Sequence, residues 1–226
     1  MTPAEVMMFF FQIVLTSMGS GLAMILTGLA LFRVPVRGRW PALLLMAVNN
    51  MLWSYLLVYV WGWAEAQPIL YVLFLSWQAH VLLGVRWLRA LLMMFLGALS
   101  YTVVLAVVLL GTAYRLGLGF EEAFGASYLE LGCKLGASLV CLLLAALMKR
   151  YRLGFSLSMA AAGRTGRGSA GDRRLLGALL AALALFAVAY YAVSRHEHWL
   201  LGVAAALVLV LSGLLFILYK KEMDEN

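Results

Sequence analysis

The sequence predicts an all-α, polytopic membrane protein of seven transmembrane helices, with its amino terminus outside and its carboxyl terminus in the cytoplasm. Three observations predict this. Of 226 residues, 65% are hydrophobic and only 12% charged, where soluble domains carry about 45–50% and about 25%. Seven apolar runs reach 17 residues or more, the length a helix needs to cross a bilayer core. The cations gather at alternate ends of those runs, as cytoplasmic loops require.

The first run, Val6–Phe32, follows an amino terminus that has Glu5 and no Lys or Arg. It is too long for the core of a cleavable signal peptide, so it reads as a retained span. It offers Gln12, Thr16, Ser17 and Ser20. The second, Pro41–Trp61, carries Asn49, Asn50 and Ser54 near its middle. Amides there need partners on other helices, because lipid offers none. They build either an interhelical network or a polar path. The third, Pro68–Gly84, is the shortest. Its Pro68 fits the first turn, where no intrahelical N–H bond is lost. His80 in that run reads as a hydrogen-bonded bundle residue. The fourth, Leu88–Thr112, offers Ser100, Tyr101 and Thr102. The fifth is Tyr128–Met148, the sixth Leu175–Val193 and the seventh Trp199–Tyr219.

The fifth run, with the basic stretch behind it, is the most informative. Glu130, Cys133, Lys134, Ala137, Ser138 and Cys141 share an arc of about 140° at helical spacing, so this face is expected to turn into the bundle. Glu130 and Lys134 form an i,i+4 pair in the favourable order. Charges inside a membrane are costly and mark functional sites by default, although the pair also neutralises itself with Lys134 snorkelling. Gly132 and Gly136 form a GxxxG that permits close helix approach, as in a homodimer face.

Seven spans place the termini on opposite sides, and the charges choose which. Fourteen of the seventeen Lys and Arg fall on one side, including Arg33, Arg37, Arg39, Lys149, Arg150, Arg152, Lys220 and Lys221; only Arg115 and Arg195 fall on the other. The basic stretch 149–174 is expected to be a flexible cytoplasmic loop near anionic headgroups, and 220–226 a cytoplasmic stub. The whole chain, 1–226, forms one transmembrane domain. Glu5, Glu65, Glu121, Glu122 and Glu197 mark the outside. Trp61, Trp63 and Trp199 belt the outer rim, and Trp40 and Trp87 the inner one. The net charge of +7 therefore follows from topology and gives no reason to expect nucleic acid. The partners implied are membrane lipids and an external ligand.

No catalytic constellation stands out. The two cysteines, Cys133 and Cys141, sit within one span and offer no disulfide framework. His196-Glu-His198 has no third metal ligand nearby in sequence, so neither metal nor cofactor is expected. The glycine-rich loop lacks the GxxxxGK[ST] of a phosphate loop. Glu121-Glu122 is similar to the paired glutamates of intramembrane prenyl proteases, but position 126 is Ala where those carry Arg. The last run has no Lys for a retinal Schiff base. The ligand-binding candidates are Glu130, Lys134, Glu121, Glu122, Gln12, Asn49, Asn50 and Trp63.

From Val85-Arg-Trp-Leu-Arg-Ala90 through Tyr151 the layout resembles the membrane sensor of AgrC-type peptide-sensing histidine kinases. A basic helix entry leads into a long fourth helix, an acidic outer loop, and a helix with the internal Lys134 ending in Met148-Lys-Arg-Tyr151. A charged exit, Lys220-Lys-Glu-Met-Asp-Glu-Asn226, completes it. The family's phosphoacceptor histidine and ATP-binding domain have no counterpart in this chain. The resemblance implies a quorum-sensing receptor in a bacterial plasma membrane that binds an extracellular peptide and signals through its last helix; without a catalytic constellation, this chain is not expected to be an enzyme by itself. The alternatives are a small transporter of a polar solute, in the three-plus-one-plus-three arrangement of sugar transporters, and a membrane assembly protein. Against the former, the Pro-Gln dipeptide of related lysosomal transporters is replaced by Gln67-Pro68.

Overall fold

The computed structural model describes residues 3–36, 38–63, 65–117, 127–155, 170–195 and 200–225; of 3–13, 127–128, 170–175, 193–195, 200–201, 221 and 224–225 only the backbone is described. The described residues are all-helical, without a strand. Seven α-helices follow one another: α1 (Pro3–Leu31), α2 (Trp40–Tyr55), α3 (Gln67–Leu83), α4 (Trp87–Leu116), α5 (Ser127–Arg150), α6 (Ala170–Arg195) and α7 (Leu200–Glu225). Pro41 and Pro68 both occupy the first turn of their helices, where a missing N–H costs nothing.

Among the described residues, five stretches are long and apolar enough to cross a membrane: Val14–Leu31, Trp40–Val60, Trp87–Leu116, Leu129–Arg150 and Gly202–Lys220. The shorter apolar stretches Gln67–Leu83 and Leu176–Ala192 make the other two helices. The fifth helix continues through Arg150 and the sixth begins at Ala170, so helix occupies both ends of the basic stretch.

The axis of the bundle is α4. In its apolar stretch 61% of residues are buried, against 22–39% in the other four, and Ala90–Leu99 is buried on every face. A helix that is apolar all round belongs in the centre. Around it, α1 packs against α2, α4 and α5; α3 packs against α2 and α4; α6 and α7 pair and dock on α4. The main core joins Ile25 and Leu29 of α1, Leu43 and Met46 of α2, Leu75 of α3 and Phe95 of α4 to Leu179 of α6 and Leu218 of α7.

At the α1–α4 crossing the two helix backbones approach closely. A Cβ on Gly28 would lie 2.4 Å from the Met93 carbonyl oxygen, and one on Gly97 would lie 2.2 Å from the Met24 carbonyl oxygen. Among the described residues the Gly132–Gly136 pair has no such role. A Cβ on Gly132 would meet nothing within 4 Å, and one on Gly136 only the Val108 side chain, at 3.9 Å.

Two ends of the bundle differ in character. At the basic end, the exits of α1 and α5 meet: the Phe155 N–H donates to the Leu31 carbonyl at 2.7 Å, and the Phe32 and Phe155 rings lie 6.1 Å apart. At the opposite end, α2 loses α-helical register. Leu56–Val60 form a π-helical turn, whose last bond runs from the Trp61 N–H to the Leu56 carbonyl at 3.0 Å. Aromatic rings crowd it: Trp53 stacks on Phe74 at 4.7 Å and meets Trp61 edge-on at 5.6 Å.

Candidate functional site

Toward the end that carries the π-helical turn, six helices leave a cavity of about 250 Å³ between them. Its polar wall begins with Thr16, Ser17 and Ser20 on α1 and Ser54 on α2. Gln67 and Tyr71 come from α3, Tyr101 and Thr102 from α4, Lys134 from α5 and Tyr190 from α6. Its floor, toward the basic end, is Met24, Val72, Ala98 and Phe186. Phe186 seals that floor by meeting the buried Phe95 edge-on at 5.8 Å. The Gly28–Gly97 crossing lies immediately beneath, one turn beyond Met24 and one residue before Ala98.

Each polar group reaches the cavity for a local reason. A hydroxyl on an apolar helix can bond back to a carbonyl of its own preceding turn. Thus Thr102 Oγ1 donates to the Ala98 carbonyl at 2.9 Å, and Ser20 Oγ to the Ser17 carbonyl at 3.2 Å. A hydroxyl that donates inward keeps two lone pairs to offer a ligand. Gln67 Nε2 donates to Ser54 Oγ at 2.7 Å, tying the start of α3 to the last α-helical turn of α2. Tyr101 Oη reaches the Lys134 carbonyl at 3.4 Å, which fixes α4 against α5.

The small and polar stripe of α5 points inward. Cys133, Ala137, Ser138 and Cys141 are buried. Ala137 packs with Ala23, Tyr101 and Cys141 in a compact second core, and Ser138 bonds back to the Lys134 carbonyl at 2.8 Å. Leu139, Leu143 and Leu144 are exposed on another face. Lys134 Nζ pairs with Glu130 Oε1 at 2.5 Å; the two side chains are 41% and 39% exposed. Glu130 is also within electrostatic reach of Tyr59 and Tyr190. An ammonium has three N–H donors, so the ion pair leaves two of them for the cavity.

Of the residues singled out from the sequence, Lys134 lines the cavity and Glu130 holds it. Asn50 lies one layer behind, fully buried. Its amide nitrogen and the Tyr71 hydroxyl both crowd Gly21, 3.3 and 3.1 Å from where a Cβ would sit. Neither has an aligned hydrogen-bond partner among the described residues. Asn49 is half-buried and apart from the cavity. Trp63 is exposed and leans on Trp61, ring centres 5.8 Å apart. Glu121 and Glu122 lie outside the described residues, as do His196 and His198, and so does the side chain of Gln12. His80 is a bundle-end residue: its Nδ1–H donates to the Val85 carbonyl at 2.7 Å. Sequence reasoning missed Tyr71 and Tyr190. Their signal was a phenol inside an apolar run, which needs a polar partner when buried.

An unpaired buried amide costs about 1–3 kcal/mol. Asn50→Leu, close to it in shape, is therefore expected to leave thermal stability unchanged or raise it, where loss of a bonded amide would lower it. A melting curve in detergent decides; a clear fall in Tm would show that the amide is satisfied in the working protein.

No protein-family model matches this chain, and no curated protein or solved structure does either. The cavity is the basis for a functional reading.

Proposed function

We propose that the chain is a seven-span membrane receptor, amino terminus outside. It takes a small polar ligand into the cavity from outside and relays its arrival through α7. The observation that carries this reading is Lys134 set among back-bonded hydroxyls and three tyrosines over an apolar floor. The free ammonium donors suit a carboxylate. The hydroxyl lone pairs and the faces of Tyr71, Tyr101 and Tyr190 suit an ammonium or amide at the other end of the same ligand. A cavity of about 250 Å³ is smaller than the roughly 300–1,000 Å³ of drug-sized sites. An amino acid, or one end of a short peptide, fits that volume. Relay through α7 is supported by its packing on both α4 and α6, two of the helices that line the cavity.

The orientation rests on the fourteen-to-two division of cations. In a variant lacking Cys133 and Cys141, a cysteine at Glu65 is expected to react with a membrane-impermeant maleimide in intact cells. One at Arg39 is expected to stay protected until the membrane is opened. Equal labelling of the two would sink the topology.

Binding is tested on the protein in nanodiscs with a panel of free amino acids and dipeptides, read by thermal shift. A ligand at a hundred times its Kd stabilises by about 2.7 kcal/mol. The shift is expected to disappear in Thr102→Val and Tyr101→Phe variants that still fold. If no member of the panel shifts Tm, or the cavity variants respond like the parent, the receptor reading fails. A transporter is the second reading. It is favoured by the π-helical break at Leu56–Val60 and the buried Asn50 amide one layer behind the cavity, because broken helices and mid-bundle polar groups mark transport paths. Uptake of a radiolabelled binder into proteoliposomes would decide for transport; binding without uptake decides for the receptor.

A further inference from the structure

We propose that the basic end of the bundle carries a built site for one anionic phospholipid, in a groove between the exits of α1 and α5. The groove has a volume of about 420 Å³. Arg33, Lys149 and Arg152 line it with Trp40, and among the described residues no carboxylate does. Above the cations its walls are apolar as far as Leu26 on α1 and Leu142 on α5. Each lies seven residues before a lining cation, about 10 Å along a helix. Cations at the mouth and a slot of hydrocarbon behind match a phosphodiester headgroup and the start of its acyl chain. A free phosphate would satisfy the cations and leave the slot uncovered. An amphiphile covers both.

Among the described residues the three cations have no other evident task there. Both helix exits close on themselves. The Val34 N–H donates to the Leu29 carbonyl and the Leu153 N–H to the Met148 carbonyl, each at 2.9 Å. These are the six-to-one bonds of a Schellman ending. The Phe155 N–H caps the Leu31 carbonyl as well. The carbonyls that would attract basic side chains are thus already served by backbone. Each helix end contributes about half a negative charge, so two ends offset about one of the three cations and leave the mouth positive by about two.

The two arginines also occupy backbone seats that do not suit them. Arg33 at φ 51° and Arg152 at φ 52° are the positive-φ non-glycine residues among those described, and both line this groove. Glycine holds the left-handed position after a helix without the Cβ penalty. Arginine in both seats makes sense if its guanidinium is used. Gly154, at φ 132°, sets the geometry. A Cβ on it would fall 2.7 and 2.8 Å from the Leu31 and Ala30 carbonyl oxygens. The α5 exit can therefore lie flat against the end of α1 and hold Arg152 in the same groove as Arg33. Basic pockets between helices at a membrane surface are the recurring means of binding anionic headgroups. This inference does not depend on what the upper cavity takes.

The test is native mass spectrometry of the protein from micelles doped with equal amounts of dioleoyl phosphatidylglycerol and dioleoyl phosphatidylcholine. Wild type is expected to retain one phosphatidylglycerol in preference to phosphatidylcholine. Each basic group near an anionic lipid is worth about a factor of five, so Arg33→Gly with Arg152→Gly is expected to lower retention roughly twenty- to thirtyfold. Its melting temperature in phosphatidylcholine nanodiscs is expected to match or exceed wild type, since glycine relaxes both seats. Lys149→Gln, within the helix and free of backbone strain, reads the same loss at about fivefold should the glycine variant fold poorly. Arg150→Gln removes an adjacent charge that does not line the groove and is expected to change nothing. Equal retention of the two lipids would overturn the site. So would undiminished retention in both groove variants, an Arg150→Gln loss as large as that of Lys149→Gln, or displacement of the lipid by inorganic phosphate at matched concentration.

Discussion

Replacing Gly97 or Gly28 with alanine is expected to be the most damaging small substitution in this chain. The added methyl on Gly97 would meet the Met24 carbonyl oxygen at 2.2 Å and the Gly28 Cα at 3.2 Å. Carbon atoms pack best at about 3.5–4.0 Å, so relief requires the helices to part by about 1 Å. Nothing else can yield, because the atoms in the way are backbone and cannot rotate aside. Parting α1 from α4 would loosen the contact between the central helix and one of its main neighbours. Overpacking a core costs about 1–3 kcal/mol and sometimes more; here the upper end is expected, about 3 kcal/mol or beyond. The crossing also supports the cavity floor through Met24 and Ala98, so any ligand-dependent thermal shift should vanish with it. Gly132→Ala is the internal control. Its methyl meets nothing within 4 Å, and alanine is a better helix former than glycine by up to about 1 kcal/mol, so that variant should be neutral or stabilised. Melting curves of the three variants in one detergent measure the contrast. A Gly97→Ala protein as stable as Gly132→Ala would show that the crossing is not as close as the structure has it.

That contrast shows where the sequence was legible. Helix positions followed from apolar runs, and the seven runs fall on seven helices with ends displaced by a few residues. The GxxxG of α5 is a spaced pair visible within one segment, whereas the glycines that make the close crossing sit on different helices. Their pairing is not written in either segment; a helix-interior glycine signals only that some packing reason exists. The centrality of α4 is legible in Ala90–Leu99, apolar on all faces, although the internal charges make α5 the more conspicuous helix. For the cavity, the individual residues were visible: Ser17, Ser20, Ser54, Thr102 and Lys134 all stand out in apolar surroundings. Which of them converge depends on how each helix is rotated. Neighbours in sequence can therefore differ, as Asn50, fully buried behind the cavity, and Asn49, half-buried and apart from it, demonstrate. The π-helical turn at Leu56–Val60 had no sequence signature, since any apolar run can host one.

The Glu130–Lys134 pair yields the second large effect, and it separates a structural role from a functional one. On an exposed helix such a pair is worth about 0.3–0.5 kcal/mol. Here the two side chains are about two-fifths exposed, but Lys134 faces a cavity walled by tyrosines and apolar side chains, where water screens less. Removing one partner strands the other's charge, and breaking a fully buried pair costs about 3–5 kcal/mol. With partial exposure the expected penalty falls to about 1–3 kcal/mol for Lys134→Met and for Glu130→Leu. The double variant should recover most of that loss, since no stranded charge remains. Stability alone then makes the pair look dispensable. Binding should not recover: the double variant keeps the cavity and its hydroxyls but offers no ammonium to a carboxylate, so the ligand-dependent thermal shift should remain absent. A stable double variant that still responds to the ligand would confine the pair to neutralising itself within α5. Additive losses in the two single variants would show that the charges do not depend on each other. Lys134 would then be held by the cavity wall, with its ammonium free for a ligand even without Glu130.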